Sequence, residues 1–526
     1  MATSPAAHRL FDDDDALSSK GDAMYVEGCA VEDLARRFGT PLFVLSGAKL
    51  RSNVQRWRNA LARDWPGAVD ILPAFKANTT LASRHILSDE GAGADVYSES
   101  ELHAVLTTGV DRERVSVNGG GKSESLLRRC VEEGVRITVE DLDEPERIDA
   151  IARELGRVAK IRFRVKPDFP SLWRPTDFTD QYASIDMGIQ AYKSGIPHEY
   201  IADLGRRVFD MRNVELVGLH VHVGRHHASL WFWRRVIKHF GDFVVALCKE
   251  WGDWRPQELD VGGGFAGPRD PFHKLGNRKD VLSSVVTYPF ELALRLLGNR
   301  RRYRATSMLI DKVMARAPSS FRAPSIEAYG HTVATVLADR LRRGGLDPAQ
   351  IRLQAEPGRG MYGDAGIHVA SVKRVKRQTR PVALRWILTD TTYFFLAGGT
   401  FEAFLHDFVV ANKVTAPATC VADVVGHSCA ADRILPFVRV PELEQGDLIA
   451  LLDTGAYQEV SASNFNGLPR PATVLVCGTK ADVVREGETV SDVYQRDRVP
   501  AELLGTTASD PTDEAATRGD VAARSA

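Results

Sequence analysis

Val69-Asp70-Ile71-Leu72-Pro73-Ala74-Phe75-Lys76-Ala77-Asn78 sets a single lysine at the end of an apolar run. Val69–Phe75 reads as a buried strand, and the small residue and asparagine after Lys76 end it. A lysine is almost never buried without a partner. When buried, its amine gives up its proton more readily and becomes a nucleophile suited to a Schiff base with a carbonyl. A plainer reading fits this segment, taken alone, at least as well: a strand-end lysine with its stem along apolar surface and its ammonium in water. The pattern on either side decides between the two, and decides the fold.

Working outward, short apolar strands alternate with amphipathic helices. Strands are expected at Arg114–Val117, Ile137–Val139, Lys160–Val165, Val214–Val223, Glu258–Val261 and Ile351–Ala355. Helices are expected at Ser98–Thr108, Glu124–Glu133, Pro145–Leu155 and around Trp231–Trp251. In Ser98–Thr108, apolar Leu102, Val105 and Leu106 share one face, as an amphipathic helix requires. Such alternation implies parallel βα units, and so many in one stretch suit a (β/α)8 barrel of the TIM type. The barrel is expected over residues 46–364. After about Asp364 the pattern turns strand-rich (Ile367–Val375, Val382–Leu388, Leu448–Leu452, Thr473–Cys477), which predicts a mostly-β domain over 365–504. The stretch 268–329 is rich in Arg, Pro and Ser and long for a barrel connection, so it reads as an insertion. Residues 1–22 and 505–526 are small, polar and without apolar periodicity, and read as disordered tails.

The bulk composition removes several function classes. The 526 residues carry a net charge of −1, which gives no electrostatic case for nucleic acid or an anionic membrane surface. No apolar run approaches the roughly 20 residues that span a bilayer. The N-terminal region carries Asp12 to Asp15 instead of a basic stretch before an apolar one, so no secretory signal is read there. The six cysteines are scattered without a CxxC pair, which argues against a zinc site or disulfide framework and fits a reducing cytoplasm. All but Cys429 are expected to be buried fillers.

Four further features fall where barrel active sites are built or on a loop of the second domain. In Gly218-Leu219-His220-Val221-His222-Val223-Gly224 the two histidines face the same way, because residues alternate across a strand. Gly262-Gly263-Gly264 lets backbone N–H groups approach an anion closely. Glu356-Pro357-Gly358-Arg359 offers a carboxylate and a guanidinium three residues apart on a turn. Cys429 lies in Gly426-His427-Ser428-Cys429. Singly, these read as core histidines, a tight turn, a surface ion pair and a loop thiol. Together, a Schiff-base lysine, a stacking imidazole, a phosphate nest and a carboxylate for a pyridinium are the fittings for pyridoxal phosphate.

With these residues in view, the chain resembles the alanine-racemase-like, fold type III decarboxylases, the diaminopimelate, ornithine and arginine decarboxylase family, and most of all its diaminopimelate branch. The likeness is carried, in the family's order, by Phe38–Leu42, Phe75–Asn78, Gly93–Val96, Arg164–Asp168, Gly218–Gly224, Asp260–Phe265, Glu356–Arg359, Gly426–Asp432 and Asp453–Tyr457. The resemblance implies that Lys76 is the covalent anchor of the cofactor and that His222 stacks on its ring. It implies that Gly262, Gly263, Gly264, Gly358 and Arg359 hold the phosphate, with Tyr457 helping, and that Glu356 pairs with the pyridine nitrogen. Asp95 and Arg164 match family positions near the cofactor. The resemblance further implies that Cys429 reaches the site from a second subunit and protonates the carbanion, so that the protein is a homodimer. It also implies that residues 23–45 join the β domain.

Three positions depart from the family pattern. The residue after the cysteine is acidic in the family and grips a distal amino group; here it is Ala430. An uncompensated buried ammonium costs several kcal/mol. The family's Arg-Pro…Tyr segment for a distal carboxylate corresponds to Thr389–Gly399, which contains no arginine. After Gly224 the family continues with serine, whereas this chain reads Arg225-His226-His227, and Arg225 is placed on the phosphate or on a substrate carboxylate. The expectation is α-decarboxylation of a modified or larger amino acid, as in secondary metabolism. The alternatives are an amino-acid racemase on the same fold and a non-catalytic regulatory homologue.

Overall fold

The computed structural model describes residues 16–167, 193–252, 254–269, 323–380, 383–396, 406–430 and 432–504, with Phe11, Ala293 and residues 296–298. Most of the expected tails, most of the 268–329 insertion, Asp168 and residues 397–399 lie outside them. The tail expected over 1–22 is too long. Residues 17–20 form β1 (Leu17–Lys20), which pairs antiparallel with β2 (Ala23–Val26), followed by β3 (Cys29–Ala30). Leu17, Met24 and Val26 are buried in a core of the sheet domain, so this hairpin is ordered by apolar burial that its polar neighbours masked. Next comes β4 (Leu42–Ser46), buried at every residue, where Ser46 Oγ accepts the Lys49 N–H at 3.0 Å and caps the helix Gly47–Ala62.

Eight strands then make the barrel: β5 (Val69–Ile71), β6 (Ala94–Val96), β7 (Val115–Val117), β8 (Arg136–Val139), β9 (Ala159–Val165), β10 (Val214–Val221), β11 (Glu258–Asp260) and β12 (Arg352–Ala355). They pair in the order β5-β12-β11-β10-β9-β8-β7-β6. The ring closes between its ends through Gly93 N–H to Ile71 O at 2.9 Å and Asp95 N–H to Pro73 O at 3.2 Å. The closing strand β6 has three residues, too few for its periodicity to show in the sequence. The run expected as a strand to Phe75 is continuous only to Ile71: Pro73 has no N–H to give the ladder, a single bridge from Ala74 to Asp95 follows, and Phe75–Ala77 forms a 3-10 turn that carries Lys76.

Alternation within the strands sorts the barrel into two populations. In β9, Ile161, Phe163 and Val165 pack outward into the helical core while Arg162 and Arg164 are buried on the other face. Asp70, Ser116, Thr138, Glu258, Asp260 and Gln354 are likewise buried. The interior is therefore a polar column held by buried ion pairs such as Arg136–Glu258 and Arg162–Asp260. Removing one member of such a pair costs about 3–5 kcal/mol, because its partner is left uncompensated.

Ile326–Arg343, whose first turn was expected within the insertion, is a regular barrel helix. Ser325 caps it, and Tyr329, Val333 and Leu337 are buried in the barrel core.

The second layer is a mostly-β domain of β13 (Gly366–Gln378), β14 (Leu384–Thr389), β15 (Phe408–Val410), β16 (Cys420–Val425), β17 (Arg433–Val440), β18 (Leu448–Leu452), β19 (Ala472–Cys477) and β20 (Lys480–Arg485). The order is β17-β16-β14-β13-β4-β19-β20, with β18 bridging β13 and β15. Strand β4 thus sits mid-sheet, antiparallel to β13 and parallel to β19. Of the five cysteines expected as fillers, Cys130 and Cys248 are buried; Cys29 and Cys420 are half-buried and Cys477 is exposed. Strand ends near a sheet edge leave such thiols reachable.

Candidate active site

Lys76 projects from its 3-10 turn at the C-terminal mouth of the barrel. The turn is clamped by the sheet domain: Tyr457 N–H donates to Ala77 O at 2.8 Å, and Asn78 Nδ2 donates to Gly455 O at 3.0 Å. Lys76 Nζ lies 2.9 Å from Asp95 Oδ2; the lysine side chain is 48% exposed and the aspartate 3%. The barrel mouth screens the ammonium from bulk water, which disfavours its charge. Asp95, aided by Tyr457 and Glu356, outweighs that and holds Lys76 above the ordinary lysine range. The lowered amine pKa expected from burial is therefore corrected: the lysine stands as one half of an ion pair. Burial, and then the repulsion of Glu356, push Asp95 up to about 6 against the pull of Lys76.

Asn118, at the C-terminal end of β7, donates through Nδ2 to Asp95 Oδ1 at 2.6 Å and to Glu356 Oε1 at 2.8 Å. Arg162 Nη2 donates to the same Glu356 Oε1 at 2.7 Å. The other oxygen, Oε2, lies 3.1 Å from His220 Nε2. Burial works against the Glu356 charge, but His220, Arg162 and Asn118 hold its carboxyl well below the usual range. Burial also lowers His220 to about 4, so the imidazole is neutral at pH 7.

His222 follows His220 by two residues, with ring centroids 6.3 Å apart and planes 27° from parallel. Its Nδ1 accepts the Gly263 N–H at 2.9 Å, which fixes the ring and leaves the proton of the neutral form on Nε2. Burial, and then the positive Arg164 and Lys76, hold it well below 6.5. Arg164 Nη1 is tied to Glu140 Oε1 at 2.7 Å.

The glycine triplet has no room for side chains. A Cβ on Gly262 would lie 2.5 Å from Val221 O, on Gly263 2.4 Å from Glu356 O, and on Gly264 2.5 Å from Gly224 O. Gly262 and Gly264 also take φ of 65° and 97°. A Cβ on Gly358 would lie 2.4 Å from Tyr457 Oη, and the Arg359 guanidinium sits 5.1 Å from the Tyr457 ring centroid. Arg225 is half-buried in the loop after Gly224, whose His227 N–H donates to Gly264 O at 2.9 Å. The structure thus brings Lys76, Asp95, Arg164, His222, Glu356 and the glycine loop to one mouth.

Cys429 is exposed on the β16–β17 loop. Its N–H donates to Asn466 Oδ1 at 2.9 Å, and among the described residues its loop makes no hydrogen bond to the barrel mouth. Buried Asp432 shapes this loop by accepting the Ser428 N–H at 2.9 Å and the Tyr393 N–H at 2.6 Å. Beside it, Phe394 and Phe465 stack with centroids 3.9 Å apart. Asn118, Arg162 and the aromatic pair escaped the sequence reading. Asn118 was signalled by its place between a strand and Gly119-Gly120-Gly121, and Arg162 by its two-residue spacing from Arg164.

Residues 47–287 match the family model of the pyridoxal-dependent decarboxylases, over its pyridoxal-binding domain. The match covers a little under half of the chain and, with the relatives that follow, supports a pyridoxal-phosphate-dependent decarboxylase. As a pyridoxal-dependent decarboxylase it is 29% identical to the diaminopimelate decarboxylase of Archaeoglobus fulgidus, over 93% of this chain and 100% of that one. It is 28% identical to the enzyme of that name from Pseudomonas aeruginosa, over 91% and 98%. Its fold is that of the M. jannaschii diaminopimelate decarboxylase structure, with a TM-score of 0.76 and 23% identity over 93% of this chain and 99% of that one. The chain is therefore a pyridoxal-phosphate-dependent amino-acid decarboxylase, a carboxy-lyase. The mouth fits the cofactor on its own geometry. It offers a reachable primary amine, an ionised carboxylate, a fixed flat imidazole, and a backbone cradle that a Cβ at any of four glycines would fill. Among the described residues, no helix is long and apolar enough to cross a membrane.

Proposed function

We propose that this decarboxylase removes the α-carboxylate of an amino acid whose distal end is larger or more apolar than that of diaminopimelate. The observation that carries the reading is the substrate-end segment. Position 430 is alanine, and residues 389–396 (Thr-Asp-Thr-Thr-Tyr-Phe-Phe-Leu) hold no cation and stack Phe394 on Phe465. A distal carboxylate would find no opposite charge in this segment, and its one anion, Asp390, is already paired with Lys373 at 3.0 Å.

In this reading Lys76 Nζ anchors the cofactor aldehyde. The amine must be neutral to do so, so the 2.9 Å ion pair with Asp95, which favours the protonated amine, must open before it reacts. Gly262, Gly263, Gly264, Gly358 and Arg359 would hold the phosphate with Tyr457, His222 would lie against the ring, and Arg164 and Arg225 would complete the positive surround. Ionised Glu356 would favour a protonated ring nitrogen. Bound there, pyridoxal phosphate supplies an electron sink for the pair left at Cα when CO2 departs. The Cys429 thiol, exposed in one chain, serves the barrel of a second copy, so the working form is a homodimer in the cytoplasm. Its Sγ returns a proton to Cα.

CO2 release should be measured from meso-diaminopimelate, lysine, ornithine and arginine, and from amino acids with amidated, acylated or aryl distal ends. The second group should be turned over with at least roughly tenfold higher kcat/KM. Brisk turnover of meso-diaminopimelate at low KM overturns the substrate assignment. Deuterium exchange at Cα without CO2 release would point to racemisation instead.

A further inference from the structure

Arg162 lies at the centre of the barrel with its side chain fully buried. Each arm of its guanidinium engages a different carboxylate. Nη2 donates to Glu356 Oε1 at 2.7 Å, and Nη1 donates to Asp260 Oδ2 at 2.6 Å. The remaining Asp260 oxygen, Oδ1, accepts the Gly262 N–H at 2.7 Å. Gly262 opens the glycine loop with a φ of 65°, and the next N–H, that of Gly263, donates to His222 Nδ1 at 2.9 Å. Three more contacts leave the fork no freedom to turn: Nη1 to Gln354 Oε1 at 2.8 Å, Nη2 to Ser116 Oγ at 2.5 Å, and Nε to Thr138 Oγ1 at 2.8 Å. One rigid cation therefore sits behind both the carboxylate read for the ring nitrogen and the loop read for the phosphate.

We propose that Arg162 is a positioning residue that couples the two ends of the pyridoxal phosphate site. At the ring end it holds Glu356 through Oε1, leaving the other oxygen, Oε2, 3.1 Å from His220 Nε2. Through Asp260 it sets the Gly262 turn at the phosphate end. The inference rests on the cofactor-site reading above. It adds that ring recognition and phosphate recognition are not independent: a change at one end is felt at the other through a planar fork. Lysine could neutralise one carboxylate but cannot span both with fixed geometry.

The test compares cofactor-free wild type, R162K and R162M for binding of pyridoxal phosphate and of pyridoxal, which lacks the phosphate, by titration of the visible absorption. Both variants should lose affinity for pyridoxal by roughly tenfold and for pyridoxal phosphate by roughly a hundredfold, so the preference for the phosphate shrinks. E356Q in wild type should likewise narrow that preference, and in R162K it should leave it unchanged. R162K keeps the buried charge and carries the test if R162M does not fold. Equal losses for the two ligands, or an E356Q effect that is the same in both backgrounds, overturn the coupling. If wild type itself takes up no pyridoxal phosphate, the cofactor-site reading fails first, and the two failures remain distinct.

Discussion

The barrel mouth and the Cys429 loop differ in how completely each is built within one chain. At the mouth, Lys76, Asp95, Asn118, Glu356, Arg162 and His220 form a continuous chain of contacts between 2.6 and 3.1 Å, and all but Lys76 are buried. The Cys429 loop is shaped by Asp432 and Asn466, yet its thiol faces outward and its aromatic neighbours carry no charge. The difference teaches that the chemistry at Cα is fixed by a closed, buried network. In the proposed function, the identity of the amino acid is left to this exposed loop and to a second copy that would complete it.

Four measurements break or sharpen that contrast. Lys76→Ala should abolish covalent cofactor attachment and the associated visible band, with activity down at least about a thousandfold; retained attachment would break the reading of the mouth. Glu356→Gln should lower kcat by roughly 10²- to 10³-fold. The pH of the visible transition should move with it, because the ring nitrogen loses its anionic partner.

Third, the buried histidines set a pH dependence of stability. Burial lowers His220 to about 4 and His368 to about 3, and holds His222 well below 6.5. The unfolded chain takes up these protons below about 6.5 while the folded chain refuses them, so stability falls as pH drops from 6.5 toward 4. Asp95, raised to about 6, and Asp260, raised well above the ordinary range, oppose this because the folded protein binds their protons first; Glu356, held well below the usual range, and Glu327, lowered to about 2, act with the histidines as the pH falls further. Melts of the cofactor-free protein at pH 7 and pH 5 should differ by on the order of a few kcal/mol, and a flat profile would sink the argument. Last and smallest, Ala430→Glu should change stability by less than about 0.5 kcal/mol while raising turnover of amino acids with a distal ammonium. No gain there would remove Ala430 from the specificity argument.

Much of the mouth was legible in the sequence because barrel chemistry gathers at strand ends, and His220, His222, Gly262 and Glu356 each follow a readable apolar strand. What escaped depended on closure in three dimensions. β6 is too short to show a period, so Asp95 could be matched but not seen as the lysine's partner. Arg162 reads as an exposed strand residue until the barrel closes around it. The sign of the Lys76 shift could not be read either, since it turns on whether Asp95 or desolvation wins at a distance the sequence does not hold. At the other end, Phe394 and Phe465 are 71 residues apart in the chain, and nothing local announces their stack.

Strand β4 has a consequence for how the protein can be divided. It precedes the barrel in the chain yet lies between β13 and β19, which follow it. A fragment ending near Asp364 would carry the whole barrel together with a five-residue apolar strand, Leu42–Ser46, stripped of both neighbours. Such an edge invites pairing with other chains. The same cut removes Gly455 and Tyr457, which clamp the turn of Lys76. The cofactor-binding half is thus not a module that can be borrowed: the two ends of the polypeptide are spliced through one sheet, and the reactive amine is held by the last part of the chain to be made.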